Sequence, residues 1–341
     1  MTPPNYFRFV KVDESGGGGG SSPIAAIMPS TNLVTLLDPG FNVFTDDGTT
    51  AAGNGDSVYR IDDASSTANH AYAMDNQSTR TYATAYRPTL TTGGQNSKNY
   101  LDFDGTNNVL KMPYNAAWGP TKIGMTIYAA IQMDDTSTGY IMSSQQHYNS
   151  ATGWKWDKGN GPGLRLYAPW DGNSWMQSVG INSMGGGTNF RLIAVRMDSG
   201  FTLPASGDFG AKSGANGRWY DLASIWSQED GQPDSDWMHS SGQDTYDGST
   251  HPGWNVYHQR GYNNAGTTAP KTETDQGEYD WSVGAANKTS GDKDGSGFVD
   301  MKFYGLMIYD TAHTDSEVNT NLIALRSYFG LDEISPAVVI N

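Results

Sequence analysis

Apolar and polar residues alternate along 298–309, where Val299, Met301 and Phe303, then Leu306 and Ile308, mark a period near two that Gly305 interrupts. Side chains on a strand point alternately to opposite faces, so this spacing predicts β structure. The period then changes. Thr314 and Glu317 stand three apart as a capping box, with Thr314 as the N-cap. Val318, Leu322, Leu325 and Phe329 follow at helical spacing, so a helix near 315–328 must bury one face. Gly330 suits the left-handed position that closes a helix, and Leu331 suits the apolar contact beyond it. A strand running into a short amphipathic helix predicts a sheet with one end or face covered.

Further strands are expected at 100–103, 109–112, Met125–Met133, Gly139–Ser143, 163–167, 189–197 and 279–284, separated by Gly, Asp and Asn turns. In the 189–197 segment Phe190, Leu192 and Ala194 alternate with Ile193, Val195 and Met197, so both of its faces are mostly apolar. At the N-terminus, 5–12 (NYFRFVKV) alternates like a strand, and Gly16–Gly20 with Ser21 and Ser22 is a linker without packing capacity. A tethered strand needs a sheet edge, either in its own sandwich or in another subunit. By contrast, 200–278 breaks the rhythm. It carries Trp219, Trp226, Trp237, Tyr246, Trp254 and Tyr257 among many Asp, Gly and Ser, the composition of long recognition loops.

Several segments follow one another in an informative order: Tyr59-Arg60-Ile61-Asp62-Asp63, Asn69-His70-Ala71, Arg87-Pro88-Thr89-Leu90, then LDFDGTNNVL from Leu101, and finally the strand and helix at the C-terminus. This series resembles concanavalin A-like (laminin-G-like) jelly-roll domains of the type found in phage and bacterial surface proteins, over roughly 38–331. The resemblance implies an all-β fold, a two-sheet antiparallel jelly-roll sandwich with an N-terminal strand arm and one C-terminal helix. The expected organisation is an arm with its Gly/Ser linker at 1–37 and one sandwich domain at 38–341, with an aromatic-rich insertion near 200–280. The fold carries lectins, glycan hydrolases and structural modules alike, so it does not choose among them.

Composition narrows the choice. Thirty Asp against six Glu favours turns over helices, and 19 Tyr with 10 Trp suits strands and contact surfaces. A formal net charge of −15 offers nucleic acid no counterion-release drive. With no cysteine, disulfides and thiolate metal sites are excluded. No apolar run reaches the ~18 residues of a membrane span, and no basic, then apolar, leader is evident at the start. An exterior-type fold without an export signal is the profile expected of a virion component, assembled in the host cytoplasm and displayed outside.

Catalytic groups are sparse. Glycan hydrolysis needs two carboxylates flanking the scissile bond, yet Glu14, Glu229, Glu273, Glu278, Glu317 and Glu333 form no array along a strand. The pairs Asp234/Asp236 and Asp244/Asp247 fit turns better than an active site. The six histidines are scattered, and no serine sits in a nucleophile elbow. In 292–303 (DKDGSGFVDMKF), Asp292, Asp294, Ser296 and Asp300 take the first, third, fifth and ninth positions of a calcium loop. The twelfth is Phe303 rather than a bidentate Glu, and an acidic hairpin explains the same residues. Calcium is the one ion the pattern admits, and no other cofactor is expected.

The aromatic residues of the insertion allow three readings: stacking on sugar rings, burial at a protein interface, or packing on the sandwich. Together these features give a non-enzymatic structural protein of a phage particle (tail, fibre or capsid decoration), touching other virion proteins and copies of itself. A carbohydrate-binding module is the alternative and a glycan hydrolase the third reading. Neither nucleic acid nor membrane is an expected partner.

Overall fold

The structure, a computed structural model, describes residues 21–74, 84–113, 125–133, 139–143, 155–158, 164–168, 176–177, 190–197, 218–229, 255–263, 281–285 and 297–331. The 5–12 segment and the glycine run lie outside them. In chain order the first strands are β1 (Leu33–Leu37), β2 (Val43–Phe44), β3 (Arg60–Ile61), β4 (Ala71–Tyr72), β5 (Thr89–Thr91), β6 (Tyr100–Asp104) and β7 (Leu110–Met112). Then come β8 (Met125–Met133), β9 (Gly139–Ser143), β10 (Lys155–Lys158), β11 (Leu164–Ala168), β12 (Met176–Gln177) and β13 (Phe190–Met197). The last are β14 (Arg218–Glu229), β15 (Asn255–Asn263), β16 (Trp281–Val283) and β17 (Asp300–Tyr309), followed by helix α1 (Asp315–Phe329).

These strands build two antiparallel sheets, as expected of a sandwich. One is ordered β15-β14-β13-β8-β17-β6-β5, and the other β12-β11-β10-β9-β16-β7-β4-β3-β2. In the first sheet β8 lines one edge of β17. The other edge is shared end to end, with β6 pairing at 300–303 and β1 at 306–309. The 1–37 arm expected from the sequence therefore needs a correction: Leu33–Leu37 is a sheet strand, and Ile24, Met28, Leu33 and Leu36 belong to the core. The 200–280 stretch needs another, because β14 and β15 continue the first sheet from β13.

Gly305 marks a bulge. Phe303 pairs with Ile131 and Gly305 with Ala130, so Tyr304 is an extra residue without a counterpart on β8. Before it Met301 and Phe303 face the space between the sheets; after it Leu306 and Ile308 do. Tyr304, Met307 and Tyr309 face the other way. The interrupted period in the sequence is this change of parity.

Two apolar layers result. Between the sheets lie Phe103, Phe303, Trp156 and Trp281, all essentially unexposed. On the outer face of the first sheet, Tyr128, Phe190, Leu192 and Met307 meet Val318, Leu322, Leu325 and Phe329 of α1 together with Ile24 and Met28. This second layer explains why the 190–195 segment is apolar on both faces.

Both ends of α1 are held. The Glu317 amide donates to Thr314 Oγ1 at 3.3 Å and the Thr314 amide to Glu317 Oε2 at 2.7 Å, completing the capping box. At the other end Gly330 is left-handed (φ 64°), and the Leu331 amide donates to Arg326 O and the Gly330 amide to Ser327 O. The last two carbonyls are taken by side chains from the turn before β6: Asn96 Nδ2 donates to Tyr328 O at 2.8 Å and Gln95 Nε2 to Phe329 O at 3.1 Å. All four terminal acceptors thus have donors. Thr314→Ala removes one cap only, so a loss of about 1 kcal/mol is expected by urea titration. A change well outside that range would mean the cap does not act locally. Among the described residues, no helix is long and apolar enough to cross a membrane.

Candidate functional site

The second sheet turns one face to the core, and the opposite face carries a transverse row. Register places Phe44 beside Arg60, Arg60 beside Tyr72, Tyr72 beside Lys111, Lys111 beside Ser282, and Ser282 beside Ser143. Neighbours in strand sequence such as Val43, Ile61 and Ala71 point into the core, which fixes the row on the outer side. Its middle is closed: Lys111 is 4% exposed, and Ser282 and Ser143 are fully buried. Phe44, Arg60 and Tyr72 are only half-buried, so the β2–β4 end is the accessible part.

That end is a pile of alternating rings and guanidinium groups. Arg60 Cζ lies 5.7 Å from the ring centroids of both Phe44 and Tyr72. Tyr72 meets Tyr59 edge to face at 6.2 Å, and Arg87 Cζ stands 5.0 Å from the Tyr59 centroid. Such contacts contribute roughly 0.5–2 kcal/mol each, the upper end where water is excluded. Arg87 is also anchored through its NH1, which donates to Thr45 O at 3.0 Å.

Carboxylates set the direction of Arg60. Its Nε donates to Asp62 Oδ1 at 2.7 Å and its NH1 to Asp47 Oδ1 at 3.2 Å. Its NH2 makes no hydrogen bond among the described residues. Asp47 rides on the 46–50 turn, which Asp46 closes by accepting from the Thr49 and Thr50 amides and the Thr50 hydroxyl. Those donors, the hydroxyl first, hold the Asp46 carboxyl below the usual carboxylate value. Gly48 is left-handed (φ 93°), a backbone conformation that favours glycine, and a Cβ there would stand 2.8 Å from Arg60 NH1 and displace it.

His70 completes the rim. Its Nδ1 accepts from the Asp63 amide at 3.1 Å, which leaves Nε2 as the protonated nitrogen. The 3.2 Å approach of the same Nδ1 to Asp62 Oδ1 is then a contact rather than an ion pair. Beneath, buried Asp63 accepts from the amides of Leu36, Ser65 and Asn69 and the hydroxyls of Ser65 and Thr67. This hub fixes the loop from β3 to β4 and ties it to β1. The arrangement offers half-buried ring surface, a donor edge on Arg60 and an acceptor on Asp47 side by side. Those are groups that bind a polar ligand with an apolar face.

Of the residues selected from sequence, those described fall elsewhere. Trp219 and Trp226 stand on β14, opposite Tyr262 and Val256, and Tyr257 stands on β15 opposite Ile225. All three occupy strand positions, not the loop positions expected of them. Trp237, Tyr246 and Trp254 lie outside the described residues, as do Asp292, Asp294 and Ser296. Asp300 opens β17 across from Asp104. Among the described residues, no three His, Asp or Glu side chains come together to hold a metal. The described aspartates act largely as turn and loop acceptors, as Asp56 does for Gly53 and Asp104 for Thr106 and Asn107.

Sequence reasoning missed Phe44, Asp47, Arg60, Asp62, His70 and Tyr72 as one group. Arg60, Asp62 and His70 did stand in the segments that carry the fold resemblance. An arginine in a two-residue strand with aromatics on the strands to either side is the signal that register alone converts into a cluster.

No family model matches this chain, and no curated protein matches it. Among solved structures it is similar to an arabinofuranosidase complexed with arabinofuranosyl-alpha-1,2-xylobiose (12% identity, TM-score 0.47, covering 90% of this chain and 60% of that one). It is also similar to the binding domain of botulinum neurotoxin serotype D (6% identity, TM-score 0.43, covering 89% and 53%). A third is the Trypanosoma rangeli sialidase in complex with sialic acid (10% identity, TM-score 0.39, covering 89% and 35%). At these identities and TM-scores the likenesses carry no functional argument.

Proposed function

We propose that this chain is a non-catalytic carbohydrate-binding sandwich of the concanavalin A-like kind. The observation that carries the proposal is the half-buried Arg60 guanidinium held between Phe44 and Tyr72, its NH2 without a hydrogen bond among the described residues and Asp47 beside it. A sugar ring has an apolar face for such surfaces and hydroxyls for such donors and acceptors. The non-catalytic part is supported by the use of Asp38, Asp46, Asp63 and Asp104 as acceptors for backbone amides. Placement on a phage particle, in contact with other virion proteins and further copies, belongs to the same proposal. It is supported by the tethered 5–12 segment and the acidic composition.

The test is a panel of immobilised glycans probed with the purified chain, with Arg60→Met and Tyr72→Ala alongside. At least one glycan is expected to be retained, and both variants are expected to bind it at least tenfold more weakly while remaining folded by circular dichroism. Retention of no glycan, or binding indifferent to both substitutions, overturns the reading.

A further inference from the structure

We infer that the sugar taken at the β2–β4 end is uncharged and presents two neighbouring hydroxyls, one to Arg60 and one to Asp47. This rests on the glycan-binding reading above and narrows it to a ligand class. The charge balance at the site decides the point. One guanidinium, Arg60, is already in contact with two carboxylates, at 2.7 Å from Asp62 and 3.2 Å from Asp47. Asp46 adds a third carboxylate on the same turn. Of the other cations at the site among the described residues, Arg87 is directed at Thr45 O and the Tyr59 ring, and Lys111, beyond Tyr72, is buried. An anion brought to Arg60 therefore meets a guanidinium whose charge is already opposed by two carboxylates within 3.2 Å, in a chain whose formal net charge is −15.

A neutral diol meets no such balance. Arg60 NH2 can donate to one hydroxyl oxygen. Asp47, whose side chain is 73% exposed and bonded only through Oδ1 among the described residues, can accept the proton of the next hydroxyl through Oδ2. The NH1–Oδ1 bond keeps donor and acceptor adjacent. A charged acceptor paired with a charged donor makes the stronger kind of hydrogen bond and gives the pair a preference for hydroxyls. Phe44 and Tyr72 on either side supply apolar surface for the ring carbons.

The experiment compares neutral oligosaccharides with their sialylated or uronic acid counterparts, by biolayer interferometry on the full chain at low and high salt. The neutral member of a pair is expected to bind at least tenfold tighter, with less than a twofold change between the two salt concentrations. Asp47→Ala should weaken neutral binding at least tenfold, and Asp47→Lys should shift preference toward the acidic member. Tighter binding of the acidic sugar by the unmodified chain would overturn this inference while leaving the glycan-binding reading intact. Neutral binding that falls with Arg60→Met but not with Asp47→Ala would also overturn it. Retention of neither member would overturn the underlying reading itself.

Discussion

Phe329→Ala is expected to cost about 3–5 kcal/mol and to loosen α1 from the sheet beneath it, as for other large-to-small changes of buried aromatics. Phe329 is fully buried, and its ring lies 4.9 Å from Phe190 and 6.0 Å from Tyr304 by centroids. It is also the residue at which the helix end meets the turn of Gln95 and Asn96. Asn96 and Ser97 hold left-handed backbone there (φ 48° and 61°), which the side-chain caps offset. Emptying the ring's place removes the contact that keeps the caps in register. Ile323, on the same helix and 43% exposed, is the control, and Ile323→Ala should stay within about 0.5 kcal/mol. Urea titration gives the energies, and hydrogen exchange of 318–331 reports the helix. Equal losses for the two variants would mean that α1 is not anchored through Phe329.

The parts of this fold legible in the sequence are those where local and long-range preferences agree. Met125–Met133 and Gly139–Ser143 are strands at the bounds expected, and α1 starts and stops on the residues that cap it. These segments combine a strong apolar period with explicit stop signals. The short strands β2, β3 and β4 have two residues each, too few for any period to show, and pairing across the sheet defines them. β14 and β15 were hidden differently: Asp221, Ser224 and Ser227 on one and His258 and Arg260 on the other break the apolar alternation. The candidate site shares the difficulty of the short strands. Phe44, Arg60 and Tyr72 are neighbours only because two antiparallel registers align them, and Asp47 comes beside Arg60 on a turn whose Gly48 is left-handed. Aromatic abundance pointed toward 200–278, whereas the described accessible cluster is built from 44–87.

Acidification from about pH 7.5 to pH 5 is expected to destabilise the α1 layer, and His313→Gln should remove most of that loss. His313 is 5% exposed and precedes the helix, held by a donated amide bond to Thr126 Oγ1. Its Nδ1 stands 2.8 Å from Tyr128 Oη and 3.3 Å from Asn321 Nδ2, and Asn321 Nδ2 also donates to Tyr128 Oη at 3.1 Å. Asn321 Nδ2 can only donate, so Nδ1 serves as an acceptor and the imidazole is neutral. Burial holds its pKa below the ordinary 6.5, against an opposing pull from Glu317. The Tyr309 ring, 4.3 Å away, is kept neutral by its own burial, which raises its pKa. A base with a lowered folded pKa binds fewer protons than the unfolded chain does. Its contribution is complete above pH 6.5 and is lost as pH falls through the folded value. Glu317 adds its own loss only below its ordinary 4.5, since Thr314 holds it lower. Buried Asp38 works in the opposite sense: its raised carboxyl gains stability as it protonates. The difference between the unmodified chain and His313→Gln isolates the histidine, because glutamine keeps an oxygen acceptor and cannot titrate. Urea midpoints at the two pH values give that difference, with exchange of 318–331 locating it. Equal pH dependence in both proteins would show that His313 is not the group that responds.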